Sequence, residues 1–171
     1  MTFENLVAVL LVAASPIAEL RAAVPMAIHL YHYPWPAALL VSLAGNLVPI
    51  PFILLLLKPL TRLAEKIKPL RLVLEFVFSR ARKRSDMVRK YERLGLMLFV
   101  AIPLPGSGAW TGSIIAYLLE LRFATALLFI SLGVLMAGIV VTVLSLLGWL
   151  GAIIAGVALA VATFLWLRKK V

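Results

Sequence analysis

Apolar residues in this chain come in blocks, separated by prolines and polar residues. The blocks run from Leu6 to Ala14, Ala37 to Leu57, Leu94 to Leu119, Phe123 to Leu147 and Gly148 to Leu167. Runs of this kind read as helices built for hydrocarbon, where about 20 residues cross a core of ~30 Å. Two of the blocks are short or interrupted. The first stops at "SPIAELRAAVP", which carries Pro16 and Pro25. The third is broken by "PLPGSG", where Pro103 and Pro105 remove backbone donors and Gly106 and Gly108 loosen the chain. A helix from Leu94 to Ile102 covers roughly 14 Å, about half the core. Each broken block therefore reads as a re-entrant hairpin, and Ala37 to Leu57 and Phe123 to Leu147 as the spanning helices after them.

The two halves also match in detail. "ALLVSLAGN" begins at Ala38 and "ALLFISLGV" at Ala126, and Pro16 precedes Gly45 by nearly the distance at which Pro105 precedes Gly133. The expected architecture is an all-α integral membrane protein: an inverted repeat of two re-entrant hairpins, each followed by a transmembrane helix, with a further transmembrane helix at the C-terminus. Broken segments meeting near the midplane are the sequence pointer to a transport site.

Between the halves, Leu60, Leu63, Ile67, Leu70, Leu74 and Val77 recur at helical spacing, with Lys58, Arg62, Lys66 and Arg71 among them. This predicts a basic amphipathic helix on the cytoplasmic face, kinked or divided at Pro69, or else a solvated connector. Ser85 and Asp86 are placed to cap a second short helix through Met87, Val88 and Tyr91. The expected division is 1–57, 58–93, 94–147 and 148–171 within one membrane domain.

Charge sets the orientation. Twelve of the 17 Lys and Arg lie between Lys58 and Arg93, and Arg168, Lys169 and Lys170 close the chain. The positive-inside rule puts both segments in the cytoplasm, so an even number of crossings separates them and the broken third block does not cross. The N-terminus, with no Lys or Arg before Arg21, is expected outside. It lacks a basic n-region and is read as mature protein.

Composition agrees: 64% of the 171 residues are hydrophobic, 14% are charged, and the mean hydropathy is +1.09. A net charge of +10 invites a nucleic-acid reading, but the basic residues sit where topology wants them. The partners expected are membrane lipids, through anionic headgroups at the cytoplasmic face.

Glu19 and Arg21 are the sharpest candidates for chemistry, because ionisable groups within apolar segments face a cavity or each other. Two residues apart on a regular helix they point to different sides, so a direct pair needs the break at Pro16 to bend the chain. Their alternative is a structural ion pair or snorkelling to the interface. A helix starting near Gly106 would aim free amides at the midplane, where they can hold a phosphate or carboxylate, or the segment is a tight packed turn. Ser107, Thr111 and Ser113 satisfy backbone groups or line a polar path. Trp110 packs or stacks on substrate, and Asn46 is expected to bond a neighbouring helix. Tyr31, Tyr33 and Trp35 read as interface anchors. His29 and His32 are too few for a metal site, and no cofactor is implied beyond a coupling proton or ion. Gly148, Ala152, Gly156 and Ala160 form a small-residue stripe suited to packing within the protein or in a homodimer. No nucleotide loop or nucleophile arrangement points to an enzyme.

"PIAELRAAVP", then "AGN", then "PLPGSGAWTGSIIAYLL" resembles the small multidrug export protein family of bacterial and archaeal membrane proteins. The plan is also similar to the wider DedA or VTT superfamily, which includes undecaprenyl-phosphate translocases and lipid scramblases. That resemblance implies a functional acidic residue in the first hairpin, matched by Glu19, and arginines around the Pro-Gly turn of the second. "IPLPGSG" departs from it by carrying no arginine, which leaves Arg21 to supply the charge from the other hairpin. The function expected is transport of an amphiphilic, lipid-linked phosphate across the cytoplasmic membrane. Proton-coupled export of cationic drugs is the second reading, and a non-transporting scaffold the third.

Overall fold

A computed structural model describes residues 2–64, 66–89, 92–103 and 106–168, with the side chains at 68, 80, 82–89, 92, 159 and 162–168 outside the description. Regular structure among the described residues is entirely helical. Helix α1 (Phe3–Ala14) opens at Thr2, whose hydroxyl accepts the Asn5 amide at 3.4 Å. It stops at Ser15 because the next residue, Pro16, disfavours helical backbone before it, and Ser15 is extended at ψ 146°. The Ser15 hydroxyl donates to the Val12 carbonyl at 2.8 Å and accepts the Ala18 amide at 3.2 Å, so the turn strands neither group. The chain resumes as α2 (Glu19–Pro25). Pro25 does not break the path as expected: it closes α2, and the chain continues into one wider π-helical turn, Met26–Leu30. Widening absorbs the misfit of the proline ring.

Helix α3 (Trp35–Leu47) starts with Pro36 in its first turn, and α4 (Pro49–Ala64) comes after Val48 alone. Together they make a 30-residue apolar stretch, Trp35–Ala64, longer than the expected span. Helix α4 runs past Leu57, so Leu60 and Leu63 belong to it. The division falls before α5 (Lys68–Arg89), where Pro69 starts a helix instead of kinking one. Helix α5 runs straight through Ser85 and Asp86, so no second helix is capped there. The reason is local: no Gly or Pro lies between Leu70 and Leu94. Tyr91, the end of that expected helix, lies outside the described residues.

The second broken segment is α6 (Glu92–Ala101), a turn through Ile102 and Pro103 to Gly108, and α7 (Ala109–Leu118). Pro105 lies outside the described residues. Helices of 12 and 10 residues in α1 and α6 extend only ~15–18 Å, whereas the 24 residues of α8 (Phe123–Leu146) reach ~36 Å. Helix α9 (Trp149–Arg168) begins after a turn with Gly148 at φ 57°. Lys169 and Lys170 lie outside the described residues.

Two helix crossings correspond closely. Where α1 packs on α3, a Cβ placed on Gly45 would stand 2.7 Å from the Leu10 carbonyl and 2.8 Å from Ala13 Cβ. Where α6 packs on α8, one on Gly133 would stand 2.7 Å from both the Met97 carbonyl and Val100 Cβ. The main core gathers Leu96, Val100, Ile115, Ile130 and Val134 with Leu20 and Val24 of α2. A second cluster joins Val9, Ala13, Ala23, Ala27 and Ala38. Outside this core the surface is apolar: Phe3, Ile17, Leu40 and Trp149 are exposed, and the most apolar windows of Trp35–Ala64 and of α8 are only 22% and 39% buried. Such surface suits lipid, and the chain is a membrane protein.

At the opposite end of α7, the Tyr117 hydroxyl lies 2.9 Å from Thr61 Oγ1 of α4, and its ring stacks on Phe78 of α5 at 6.0 Å. The amphipathic segment is thus tied to the membrane helices. The small-residue stripe of α9 does not form its seam with α8: Gly151 makes the close approach, to the Leu144 carbonyl, while Gly156 meets nothing within 4 Å and Ala152 and Ala160 are exposed. Tyr33 is buried beside Tyr31 and is no interface anchor, whereas Trp35 is exposed.

Candidate functional site

The two breaks meet, and Glu19 lies where they do. It is the first residue of α2, only 5% exposed, and takes a left-handed backbone at φ 51°. That conformation costs a side-chain-bearing residue about 1–2 kcal/mol. It also resolves the spacing problem, because Glu19 Oε2 and Arg21 Nη2, which a regular helix would hold apart, come to 3.6 Å.

Across the junction, Glu19 Oε1 accepts the Trp110 amide at 3.4 Å, and the Ala109 amide also donates to the carboxylate. These are first-turn amides of α7, which have no partner within their own helix, at the end where the helix dipole favours a negative charge. The amides read from sequence as a place for a phosphate or carboxylate ligand are thus occupied by the chain's own carboxylate. Gly108 makes the approach feasible: its backbone is ordinary extended chain, but a Cβ there would overlap the Glu19 carboxylate.

Other bonds stitch the same junction. Arg21 Nη2 donates to Ser107 Oγ at 3.4 Å, and Ser107 Oγ donates to the Ile102 carbonyl at 2.6 Å. Trp110 uses its indole N–H to bind the Ala14 carbonyl at 3.1 Å, closing the last turn of α1 from the other half of the chain. Gly106, exposed at φ 75°, makes the turn that a side-chain-bearing residue would strain. Ser113 bonds back to the Ala109 carbonyl at 2.8 Å, the backbone-satisfying role expected of it. Thr111 is half-buried, and Pro16 is exposed at the outer side of the first turn. Taking away Glu19 or Arg21 leaves the other charge with weakened compensation, a loss of about 3–5 kcal/mol for a buried pair.

Asn46 does not behave as expected. It is 1% exposed, and neither atom of its amide has a hydrogen-bond partner. From α6 and α8 it meets only the apolar Val100, Val134 and Ala137, while Glu19 and Arg21 of α2 line the same narrow space without bonding to it.

Beside the junction opens a cavity of about 540 Å³, the size of a small-molecule site. Its walls come from α2 and the π-turn (Arg21, Pro25, His29), the second break (Pro103), α8 (Val141, Leu144, Ser145), Gly148 and the start of α9 (Trp149, Gly151, Ala152, Ala155). The lining is mainly apolar, with Arg21 and His29 as its ionisable side chains among the described residues; Glu19 faces the junction instead. His29 Nε2 is 3.1 Å from the Ser145 carbonyl, while His32 is exposed at φ 53°. Among the described residues no three His, Asp or Glu side chains gather as a metal site would require. The contribution of Ser145 and Trp149 to the cavity carries no signal in sequence, because nothing about α9 foretells that its first turns lean over α2.

No curated protein and no solved structure matches the chain. A family model described as "Putative small multi-drug export protein" matches residues 19–140, from Glu19, just after the first break, through the second break to the greater part of α8. The chain belongs to this family of small multi-drug export proteins.

Proposed function

We propose that the protein is a transporter of the cytoplasmic membrane that moves an amphiphile bearing an anionic group, of which a lipid-linked phosphate is the leading example. The observation that carries this reading is the division of charge around the cavity. An apolar chamber of about 540 Å³ has Arg21 on its wall, while the carboxylate of Glu19 is turned away into the junction. A guanidinium suits a phosphate, and the apolar lining suits the hydrocarbon attached to it. Glu19 is the coupling carboxylate: it holds the two broken segments together while ionised, and a proton taken up there weakens that hold.

In this reading the broken segments are re-entrant hairpins, and the two halves form an inverted repeat with the N-terminus outside and the C-terminus in the cytoplasm. The matched crossings at Gly45 and Gly133 support the repeat, and the short reach of α1 and α6 supports re-entry. Helix α5, with Leu72, Val73 and Phe76 exposed beside Arg71, rests on anionic headgroups. The outward Gly156 and Ala160 offer a face for a homodimer.

The test is transbilayer movement of a polyprenyl phosphate in proteoliposomes, with and without a pH gradient. Wild type moves the lipid, and both Glu19→Gln and Arg21→Ala abolish movement. Efflux of a cationic dye that needs Glu19 but survives Arg21→Ala would transfer the assignment to drug export, with which the family description agrees. No movement of either probe above empty liposomes would leave a scaffold.

A further inference from the structure

Helix α3 carries Ser42 and Asn46 one turn apart, fully buried, with neither Ser42 Oγ nor either amide atom of Asn46 hydrogen-bonded. Buried amides in native proteins are nearly always paired, so one left unpaired against the junction asks for a partner. Asn46 lines a narrow interstice together with Glu19, Arg21, Gly108 and Ala109. That space has no room for a water molecule, so the partner must be a side chain already on its wall.

The chemistry selects which one. Arg21 can only donate. Ionised Glu19 can only accept, and its acceptors face the amides of Ala109 and Trp110. A protonated carboxyl is different, because it has one donor and one acceptor side by side. The amides of α7 cannot accept its O–H. Asn46 can, through Oδ1, while its Nδ2–H donates to the carboxyl's other oxygen. One protonated carboxyl thus satisfies both unpaired atoms of Asn46.

We propose that Asn46 is the partner of protonated Glu19: on taking up a proton, the carboxyl swings from the first turn of α7 to the amide of α3 and releases the bond between the two broken segments. The inference rests on Glu19 being the coupling carboxylate. Among the described residues lining the interstice, Arg21 is the other ionisable group facing it, and α3, α6, α7 and α8 contribute none.

Asn5 and Asn46 are the chain's only asparagines, so nitrogen-15 labelling of asparagine in an Asn5→Gln protein reports Asn46 alone. The full chain in lipid is titrated from neutral to acid, following the Asn46 side-chain amide by magnetic resonance and the carboxylic C=O band by difference infrared spectroscopy. The expected result is a C=O band that appears on acidification and is missing in Glu19→Gln. Over the same pH range, the Asn46 amide protons move downfield, and in Glu19→Gln they do not respond to pH. A Glu19 band that appears while the Asn46 resonance stays still overturns the proposal and leaves the coupling role of Glu19 standing. Absence of any Glu19 band overturns both.

Discussion

Between α1 and α2 the chain turns on side chains that bond locally, Ser15 to Val12 and Ala18, and the ionisable pair Glu19 and Arg21 comes at once after the turn. Between α6 and α7 it turns on glycine and proline with no charge at all, and leads into a helix start whose first amides have no partner within the helix. The two breaks thus carry complementary chemistry, one supplying the charges and the other the dipole and the hydroxyl of Ser107 that receive them. Neither segment satisfies its groups alone: Glu19 needs the α7 amides, and the Ala14 carbonyl needs the Trp110 indole. A device whose two halves complete each other at one carboxylate can be loosened by one proton. Two self-sufficient turns could not.

The most drastic way to break this comparison is topological. Since the chain has no cysteine, single cysteines can be placed at will. With the halves inverted, membrane-impermeant reagent reaches positions Thr2 and His32 from outside and Ser85 from inside. Labelling of position 2 from the inside only would mean that the two segments enter from one side.

A smaller effect is expected at the contact itself. Gly108→Ala forces a methyl into the Glu19 carboxylate, lowering stability in detergent by about 1–3 kcal/mol and abolishing transport. In a Glu19→Ala background the same change should cost no more than ~0.5 kcal/mol, because the obstructed group is gone. A Gly108→Ala penalty that persists unchanged there would place its origin elsewhere.

The finest test compares the crossings. Gly45→Ala and Gly133→Ala each push a methyl against a facing carbonyl and a side chain at nearly identical distances. Their unfolding penalties should agree within ~0.5 kcal/mol, the scatter of independent sites. A clear inequality in thermal unfolding would show that the two crossings are alike in distances but not in energetics.

Much of this was legible before any fold was known. Pro16 and the Pro103 to Gly108 stretch mark the breaks because proline and glycine act on their own backbone, and Glu19 and Arg21 stand out because charge is rare in apolar sequence. The pairing of Glu19 with Arg21 was foreseeable only as a condition on the break, and φ 51° at Glu19 is how the chain meets it. Other readings failed where neighbours decide. Asn46 is expected to bond a neighbouring helix, but its amide makes no hydrogen bond, although Glu19 and Arg21 line the same space. Tyr33 was expected at an interface and is covered by its surroundings. Ser85 and Asp86 were expected to cap a helix, but nothing nearby breaks α5.

The sequence by itself determined that this is a helical membrane protein, where its helices are interrupted, and which two residues carry charge into the apolar region. Those properties come from hydropathy and from backbone chemistry local to each residue. Only the tertiary structure decided that the interruptions meet, that the α7 amides are occupied by Glu19, and that Arg21 faces a cavity roofed by α9. Each of these depends on contacts between residues some 90 or more positions apart, such as Trp110 with Glu19 or His29 with Ser145, and no local pattern encodes which distant group will stand opposite.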